Sequence, residues 1–255
     1  MRVIKVGGRV QSSPALGAAL ASGWHAAPGA LCVIHGGGDA VSAVQRTMGV
    51  EPVFVDGRRV TGAADIEILR MVLSGLENKR LVATLTAQGI AAVGLSGEDG
   101  SLLVAEQETG ALGLVGTPVR VNTALVRHLL AGGYLPVISP LSAGERSGAA
   151  TLNVNGDDAA AAIAIALEAD ELLFVADVAG VLLDGEALPE LTSANASDLI
   201  ARGIARGGMA AKLRAALRAL AAGVPAVRIG DLSAIGDAEL GTRMVNSRSP
   251  ARQSA

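Results

Sequence analysis

Short runs of β-branched and other apolar residues alternate along the chain with longer, alanine-rich segments whose apolar positions recur at helical spacing. The runs at 3–6, 31–35, 91–95, 135–138, 171–177 and 226–229 read as buried strands. The segments at 14–22, 40–48, 64–88, 123–131, 157–168 and 209–222 read as helices. Strands that are apolar on both faces and separated by helices predict a parallel sheet covered on both sides, an α/β fold. Between residues 118 and 155 the alternation becomes irregular, and 142–148 reads as an exposed hairpin or loop. A soft lobe boundary falls there, giving an N-lobe of residues 1–150 and a C-lobe of 151–245. The small, polar segment 246–255 reads as a disordered tail.

Composition narrows the functional classes. Of 255 residues, 50% are hydrophobic, 2% aromatic and 18% charged, so the core is built from Ala, Val, Leu and Ile, with 33 glycines allowing close packing. The chain is long enough for one large domain or two lobes. With 21 basic against 24 acidic residues the formal net charge is −3, and only Trp24, Phe54, Tyr134 and Phe174 could stack on bases. A nucleic-acid partner is therefore not expected. Cys32 stands alone, which excludes intrachain disulfides and cysteine metal cages, and it reads as an inert buried thiol. His25, His35 and His128 are scattered without ligand spacing, so no direct protein–metal site is expected. The opening residues read as a strand and a turn rather than a signal peptide. The longest apolar run, 159–167, is far shorter than a membrane span. A cytoplasmic protein without a membrane partner is the expectation.

Three glycine-bearing turns directly follow expected strands: Val6-Gly7-Gly8, His35-Gly36-Gly37-Gly38 and Asp177-Val178-Ala179-Gly180. In open parallel sheets ligands bind beyond the carboxyl ends of strands, and glycine there lets backbone amides approach an anion closely. One such turn can be mere chain reversal; three together favour a phosphate or carboxylate ligand. No P-loop, dinucleotide fingerprint or nucleophile elbow is present. Lys5 interrupts an otherwise apolar strand, either to meet an anion or as an edge-strand lysine reaching water. Lys212 stands early in a helix, where the dipole disfavours a cation unless an anion is bound or the side chain points away. Arg59 could fork onto a carboxylate or form a weak surface pair. Asn155 or Asp157 could cap the helix that follows, and Asp157 could instead fix the two lysines.

Eight motifs in order make the chain resemble the amino acid kinase family, nearly from end to end. They are Ile4-Lys5-Val6-Gly7-Gly8, Val33-Ile34-His35-Gly36-Gly37-Gly38, Gly57-Arg58-Arg59-Val60-Thr61 and Glu77-Asn78-Lys79-Arg80-Leu81-Val82. Ala92-Val93-Gly94-Leu95-Ser96-Gly97-Glu98-Asp99-Gly100, Asn153-Val154-Asn155-Gly156-Asp157, Asp177-Val178-Ala179-Gly180-Val181-Leu182 and Gly207-Gly208-Met209-Ala210-Ala211-Lys212 complete the set. The resemblance implies a three-layer αβα sandwich around a mainly parallel sheet. It is nearest to the branch that phosphorylates the γ-carboxylate of N-acetyl-L-glutamate in arginine biosynthesis, with ATP as co-substrate and Mg²⁺ arriving on its phosphates. By that resemblance Lys5 and Lys212 neutralise the phosphoryl group in transit, and Asp157 holds both lysines. Gly37, Gly38 and Arg59 of the N-lobe, together with Asn153, would bind the acidic substrate. Gly7, Gly8, Gly36, Asp177, Val178, Gly180, Val181, Leu182, Gly207, Gly208 and Met209 would serve the phosphates and nucleotide, the C-lobe taking ATP.

The resemblance leaves two alternatives: a kinase for a carrier-linked α-aminoadipate, and a non-catalytic metabolite-binding relative. Asp39 and Gly156 depart from the residues usual in the family, Pro and Ala. The segment 64–88 is the expected surface of a homodimer. Because the chain starts at its first strand, without the extra N-terminal helix of arginine-inhibited members, insensitivity to arginine is expected.

Overall fold

The computed structural model describes residues 1–55, 57–146 and 148–247. The chain begins β1 (Arg2–Val6), α1 (Leu16–Ala26), β2 (Leu31–His35) and α2 (Gly38–Thr47). A short hairpin of β3 (Phe54–Val55) and β4 (Arg58–Arg59) follows, then α3 (Ala63–Leu69), a π-helical stretch (Arg70–Glu77) and α4 (Asn78–Ala87). Next come β5 (Ala92–Gly97), β6 (Leu103–Gln107), β7 (Val115–Val121), α5 (Thr123–Ala131), β8 (Leu135–Gly144) and β9 (Leu152–Val154). The remainder runs α6 (Gly156–Ala166), β10 (Glu171–Val175), a hairpin of β11 (Leu182–Leu183) and β12 (Glu186–Ala187), and β13 (Glu190–Thr192). It closes with α7 (Ser193–Ala201), α8 (Gly207–Ala221), β14 (Ala226–Gly230) and β15 (Thr242–Val245).

Among the described residues eleven strands form one sheet, in the order β13-β15-β14-β10-β1-β2-β8-β6-β7-β9, with β5 pairing on β8. The β1–β10, β1–β2, β10–β14, β2–β8 and β5–β8 pairs are parallel, whereas β6–β7, β8–β9 and β14–β15 are antiparallel. The sheet is thus mainly parallel, as the apolar runs predict. α6 packs on α8 and on β1, while α1 packs on α4, which covers β5 and β8. Helices layer both faces, the expected αβα sandwich.

β1 lies between β2 and β10, so Lys5 occupies the middle of the sheet. The edge-strand reading of Lys5 is thereby overturned: a strand's own residues do not encode its place in the sheet. Val3, Ile4 and Val6 in this strand are wholly buried. Side chains of this size contribute roughly 1.5–3 kcal/mol each on burial, so the strand holds Lys5 firmly.

The expected loop at 142–148 needs correction only at its start, since Glu145, Arg146 and Gly148 are exposed and lie outside any strand. β8 runs on to Gly144, and Ser142 is fully buried with its hydroxyl donating to Leu152 O at 3.3 Å. Ser139, equally buried, meets the Ser74 hydroxyl at 2.8 Å. Serines whose hydroxyls find partners can line a core strand, so local polarity here does not signal exposure. Of the tail, residues 248–255 lie outside the described residues. Ser247 donates its N–H to Ser193 Oγ at 3.0 Å. Cys32 is buried, and burial pushes its thiol up to about 12.

Candidate active site

The parallel strands β1 and β2 end side by side, and their following glycines form the floor of the site. Gly7 is extended, with φ −147°, and Gly8 adopts φ +58°, which favours glycine. Gly37 stands at φ +142° before α2. A Cβ on Gly37 would fall 2.7 Å from Leu73 Cδ2, so a side chain there would displace Leu73 as well as meet an unfavourable φ. Gly8, Gly36, Gly37 and Gly38 line a cavity of about 210 Å³, together with Lys5, Arg59, Asn153 and Asp157.

Asn155 caps α6, its side chain accepting from Asp157 N–H at 2.8 Å. That leaves the Asp157 carboxylate free of capping duty. It lies 2.8 Å from Lys5 Nζ through Oδ1 and 3.6 Å from Lys212 Nζ through Oδ2. All three side chains are nearly excluded from water, at 8%, 5% and 12% exposed for Lys5, Asp157 and Lys212, so solvent screens the cluster little. Burial holds the Lys212 ammonium below the usual lysine value; Asp157 opposes that shift and the Lys5 charge reinforces it. Two cations sharing one carboxylate leave a net positive site, suited to an anion.

Arg59 is buried, and its guanidinium donates to Gly38 O at 2.9 Å, to Ser42 Oγ at 2.8 Å and to Gln45 Oε1. It stacks on the Phe54 ring, 4.8 Å from the centroid. Among the described residues no carboxylate comes within ion-pair distance of it, and burial lowers its pKa. A fixed, desolvated guanidinium with neutral partners has the chemistry to receive a carboxylate. Asn153, across the cavity, donates to Thr61 Oγ1 at 3.0 Å.

A second cavity of about 960 Å³ opens beside the first, walled by α6, β7 and the start of α8, including Gly207 and Gly208. Gly57, Arg58, Asn155 and Asp157 line both spaces. The β3–β4 hairpin bridges them: Arg58 makes a bidentate pair with Glu108 at 2.5 and 2.6 Å, and a Cβ on Gly57 would come 3.7 Å from Gly207 Cα. Asp157 therefore stands where the two cavities meet, with Lys5 lining the smaller one and Lys212 reaching Asp157 from α8.

Other sequence-derived residues lie apart from both cavities. Asp177 is half-exposed, 3.7 Å from Arg9, and close enough for Lys212 to feel its charge. Gly180 backs onto Thr242, whose Oγ1 accepts the Val181 N–H at 2.7 Å. Val178 is half-buried, Leu182 is exposed in its hairpin, and Met209 packs on the main core. Sequence reasoning missed Ser42 and Gln45, the residues that hold Arg59. Their signal was present, as two polar residues three apart on the buried face of α2 beside Val41. It also missed the pairing of Arg58 with Glu108, for which no local pattern exists.

A parallel sheet that ends its strands in glycine turns around a Lys–Asp–Lys cluster defines an anion-handling α/β protein. The chain belongs to the amino acid kinase family, whose model matches residues 1–231. It is similar to the acetylglutamate kinase of Ruegeria pomeroyi, 48% identical over 78% of this chain and 69% of that one. The acetylglutamate kinase of Chloroflexus aurantiacus is 43% identical over 96% of each chain. Among solved structures, smu.665 from Streptococcus mutans UA159 superposes with a TM-score of 0.85 at 28% identity, covering 96% of this chain and 98% of that one.

Proposed function

We propose that this chain transfers the γ-phosphoryl group of ATP to the γ-carboxylate of N-acetyl-L-glutamate, giving N-acetyl-L-glutamyl 5-phosphate, a step of arginine biosynthesis. The observation that carries the reading is the buried Lys5–Asp157–Lys212 cluster, whose Asp157 lines both cavities and whose Lys5 lines the smaller one. The full-length similarity to acetylglutamate kinases names the acceptor.

The acceptor carboxylate is already ionised at neutral pH, so it attacks phosphorus without a general base. Catalysis then reduces to alignment and neutralisation of charge. Arg59 and Asn153 grip the acceptor in the smaller cavity, and the Gly8 and Gly36 to Gly38 backbone faces the group in flight. Lys5 approaches from the acceptor side and Lys212 from α8, and together they offset the negative charge spread over the transferring oxygens. Removing one such cation costs about 3–4 kcal/mol of transition-state stabilisation by analogy with lost oxyanion donors. Asp157 keeps the ammonium groups close without touching the phosphoryl group. Lobe 1–150, joined by Asn153, holds the acceptor, and the rest of lobe 151–245 the nucleotide, with the turn after β10 and residues 207–209 on its side.

Both Asp157 oxygens face lysines, and no group of three or more His, Cys, Asp or Glu among the described residues could hold a metal ion. This donor set fits a Mg²⁺ carried by the nucleotide phosphates rather than one caged by side chains; there it supplies further charge neutralisation. A homodimer through the segment 64–88 and a cytoplasmic location belong to the same reading. None of the helices among the described residues is long and apolar enough to cross a membrane.

Hydroxylamine trapping of the acyl phosphate tests the proposal. Hydroxamate is expected from ATP, magnesium and N-acetyl-L-glutamate, but not from glutamate, aspartate or carbamate. Binding of N-acetyl-L-glutamate and ATP without turnover would leave a metabolite-binding protein instead.

A further inference from the structure

The Glu77-Asn78-Lys79 motif has no part in the chemistry above, yet the structure packs it directly beneath the triple-glycine turn. The π-helical stretch places Leu73 and Glu77 against Gly37, where a Cβ would meet them at 2.7 and 3.3 Å. The next residue, Asn78, is fully buried, as is His35 at the end of β2. Its Nδ2 lies 3.1 Å from His35 Nε2 and 2.9 Å from Val137 O, while its Oδ1 accepts from Lys79 Nζ at 3.0 Å. Val137 O can only accept and Lys79 can only donate, so the orientation of this amide is fixed.

His35 Nδ1 lies 2.8 Å from Gly36 O. A carbonyl accepts only, so Nδ1 carries the proton and Nε2 presents its lone pair to Asn78. Burial pushes the imidazole down to about 4, which keeps the ring neutral and preserves this division of roles at physiological pH. Gln11 Nε2, 3.4 Å from Nδ1, faces it donor to donor and is held instead by Glu77 Oε2 at 3.2 Å. Gly36 is thereby pinned twice, its N–H donating to Val6 O at 3.0 Å and its C=O accepting from His35. Because a trans peptide points its C=O and N–H in opposite directions, the His35 bond also sets the direction of the Gly37 N–H.

We propose that Asn78 and His35 are positioning residues for phosphoryl transfer: Asn78 dictates the His35 tautomer, and His35 fixes the Gly36–Gly37 peptide that faces the reacting group. The inference rests on the kinase reading for its catalytic consequence but not for its hydrogen bonds.

The test uses the full chain with ¹⁵N-labelled histidine, where long-range proton–nitrogen correlations report which ring nitrogen of His35 bears hydrogen. Wild type is expected to carry it on Nδ1. Asn78→Asp, whose carboxylate can only accept, should move it to Nε2 and lower kcat about 10- to 100-fold with both KM values held within about threefold. In a His35→Asn background, whose amide can donate to Gly36 O without any tautomer, the same Asn78 change should cost less than about threefold. A wild-type proton on Nε2 overturns the proposal, and so does a tautomer-switched Asn78→Asp enzyme with kcat within about twofold of wild type. If Asn78→Asp does not fold, the wild-type tautomer and the kinetics of His35→Asn decide. A wild-type chain with Nδ1–H that turns over no acceptor would sink the kinase reading, and with it the catalytic role given to these residues, while the hydrogen-bond assignment stands.

Discussion

A methyl group on Gly7 would sit 2.2 Å from the ammonium nitrogen of Lys5. The glycine therefore makes the pocket in which that ammonium rests. Its backbone is extended, a conformation open to any residue, so Gly7→Ala strains only the contact. The Lys5 stem can bend away, but its ammonium then leaves the place set by Asp157. Gly7→Ala is expected to lower kcat about 10- to 100-fold while changing stability by about 1 kcal/mol or less. Steady-state kinetics beside a denaturant titration checks this. A loss of stability without loss of turnover would mean that the ammonium position is unimportant.

Arg59 tests recognition rather than chemistry. Its guanidinium is held by Gly38, Ser42 and Gln45 and stacked on Phe54, a setting that a lysine ammonium cannot reproduce. Arg59→Lys should raise the KM for N-acetyl-L-glutamate about 10- to 100-fold and leave the KM for ATP nearly unchanged. An equal rise for both substrates would place Arg59 outside the acceptor site.

How much of this could be read beforehand differs from element to element. β2 was legible because Leu31, Cys32, Val33, Ile34 and His35 are all buried, and α5 because its apolar positions keep helical spacing through Leu130. The β6–β7 hairpin was not: Thr117, Val119 and Arg120 are exposed, and Pro118 reads as a break. The π-helical stretch was invisible, since apolar periodicity runs through 64–88 without interruption, yet it brings Glu77 and Asn78 under the glycine turn. Lys5, Asp157 and Lys212 could be grouped from the residues only as one of several readings, and the family's motif order singled that reading out. Their 2.8 and 3.6 Å separations come from three elements far apart in the chain, which no local pattern carries. Asp158, next to Asp157, shows the same dependence on tertiary context: burial raises its pKa, and an Arg218 ion pair opposes that shift.

Replacing Asp157 with Asn should be costly for folding as well as for turnover. Two lysines, 8% and 12% exposed, would then share a pocket with no anion, and breaking such a buried pair costs about 3–5 kcal/mol. The deficit has a defined pH dependence. A lysine whose folded-state pKa lies below its unfolded value binds fewer protons when folded, so stability rises with pH between the two values. Burial already depresses Lys212 with Asp157 present, and loss of the carboxylate depresses it further. The stability gap between Asp157→Asn and wild type should therefore narrow as pH rises toward 10.5, the ordinary lysine value. Urea titrations at several alkaline pH values measure it. A gap that is constant with pH would mean that the loss arises from packing rather than from uncompensated charge.

Lys212 links the same electrostatics to turnover. Its proposed role requires the ammonium form, which is lost as pH rises through its folded-state pKa. Burial is the largest influence on that pKa and lowers it; the Asp157 carboxylate works against burial, and the Lys5 charge adds to it. The alkaline limb of kcat/KM, which reports the free enzyme, should accordingly fall at a pH below 10.5. With nucleotide bound, phosphate charge favours the ammonium, so the limb of kcat should lie higher than that of kcat/KM. Lys212→Ala should lower kcat about 10²- to 10³-fold and change the KM for ATP only a few-fold, because the missing cation acts mainly on charge that develops in transit. Lys212→Arg keeps a cation that does not deprotonate in this range, so it should recover part of the rate and lose the alkaline limb. Unaltered pH limbs in Lys212→Arg would assign the titration to another group, and turnover within a few-fold in Lys212→Ala would remove Lys212 from the chemistry.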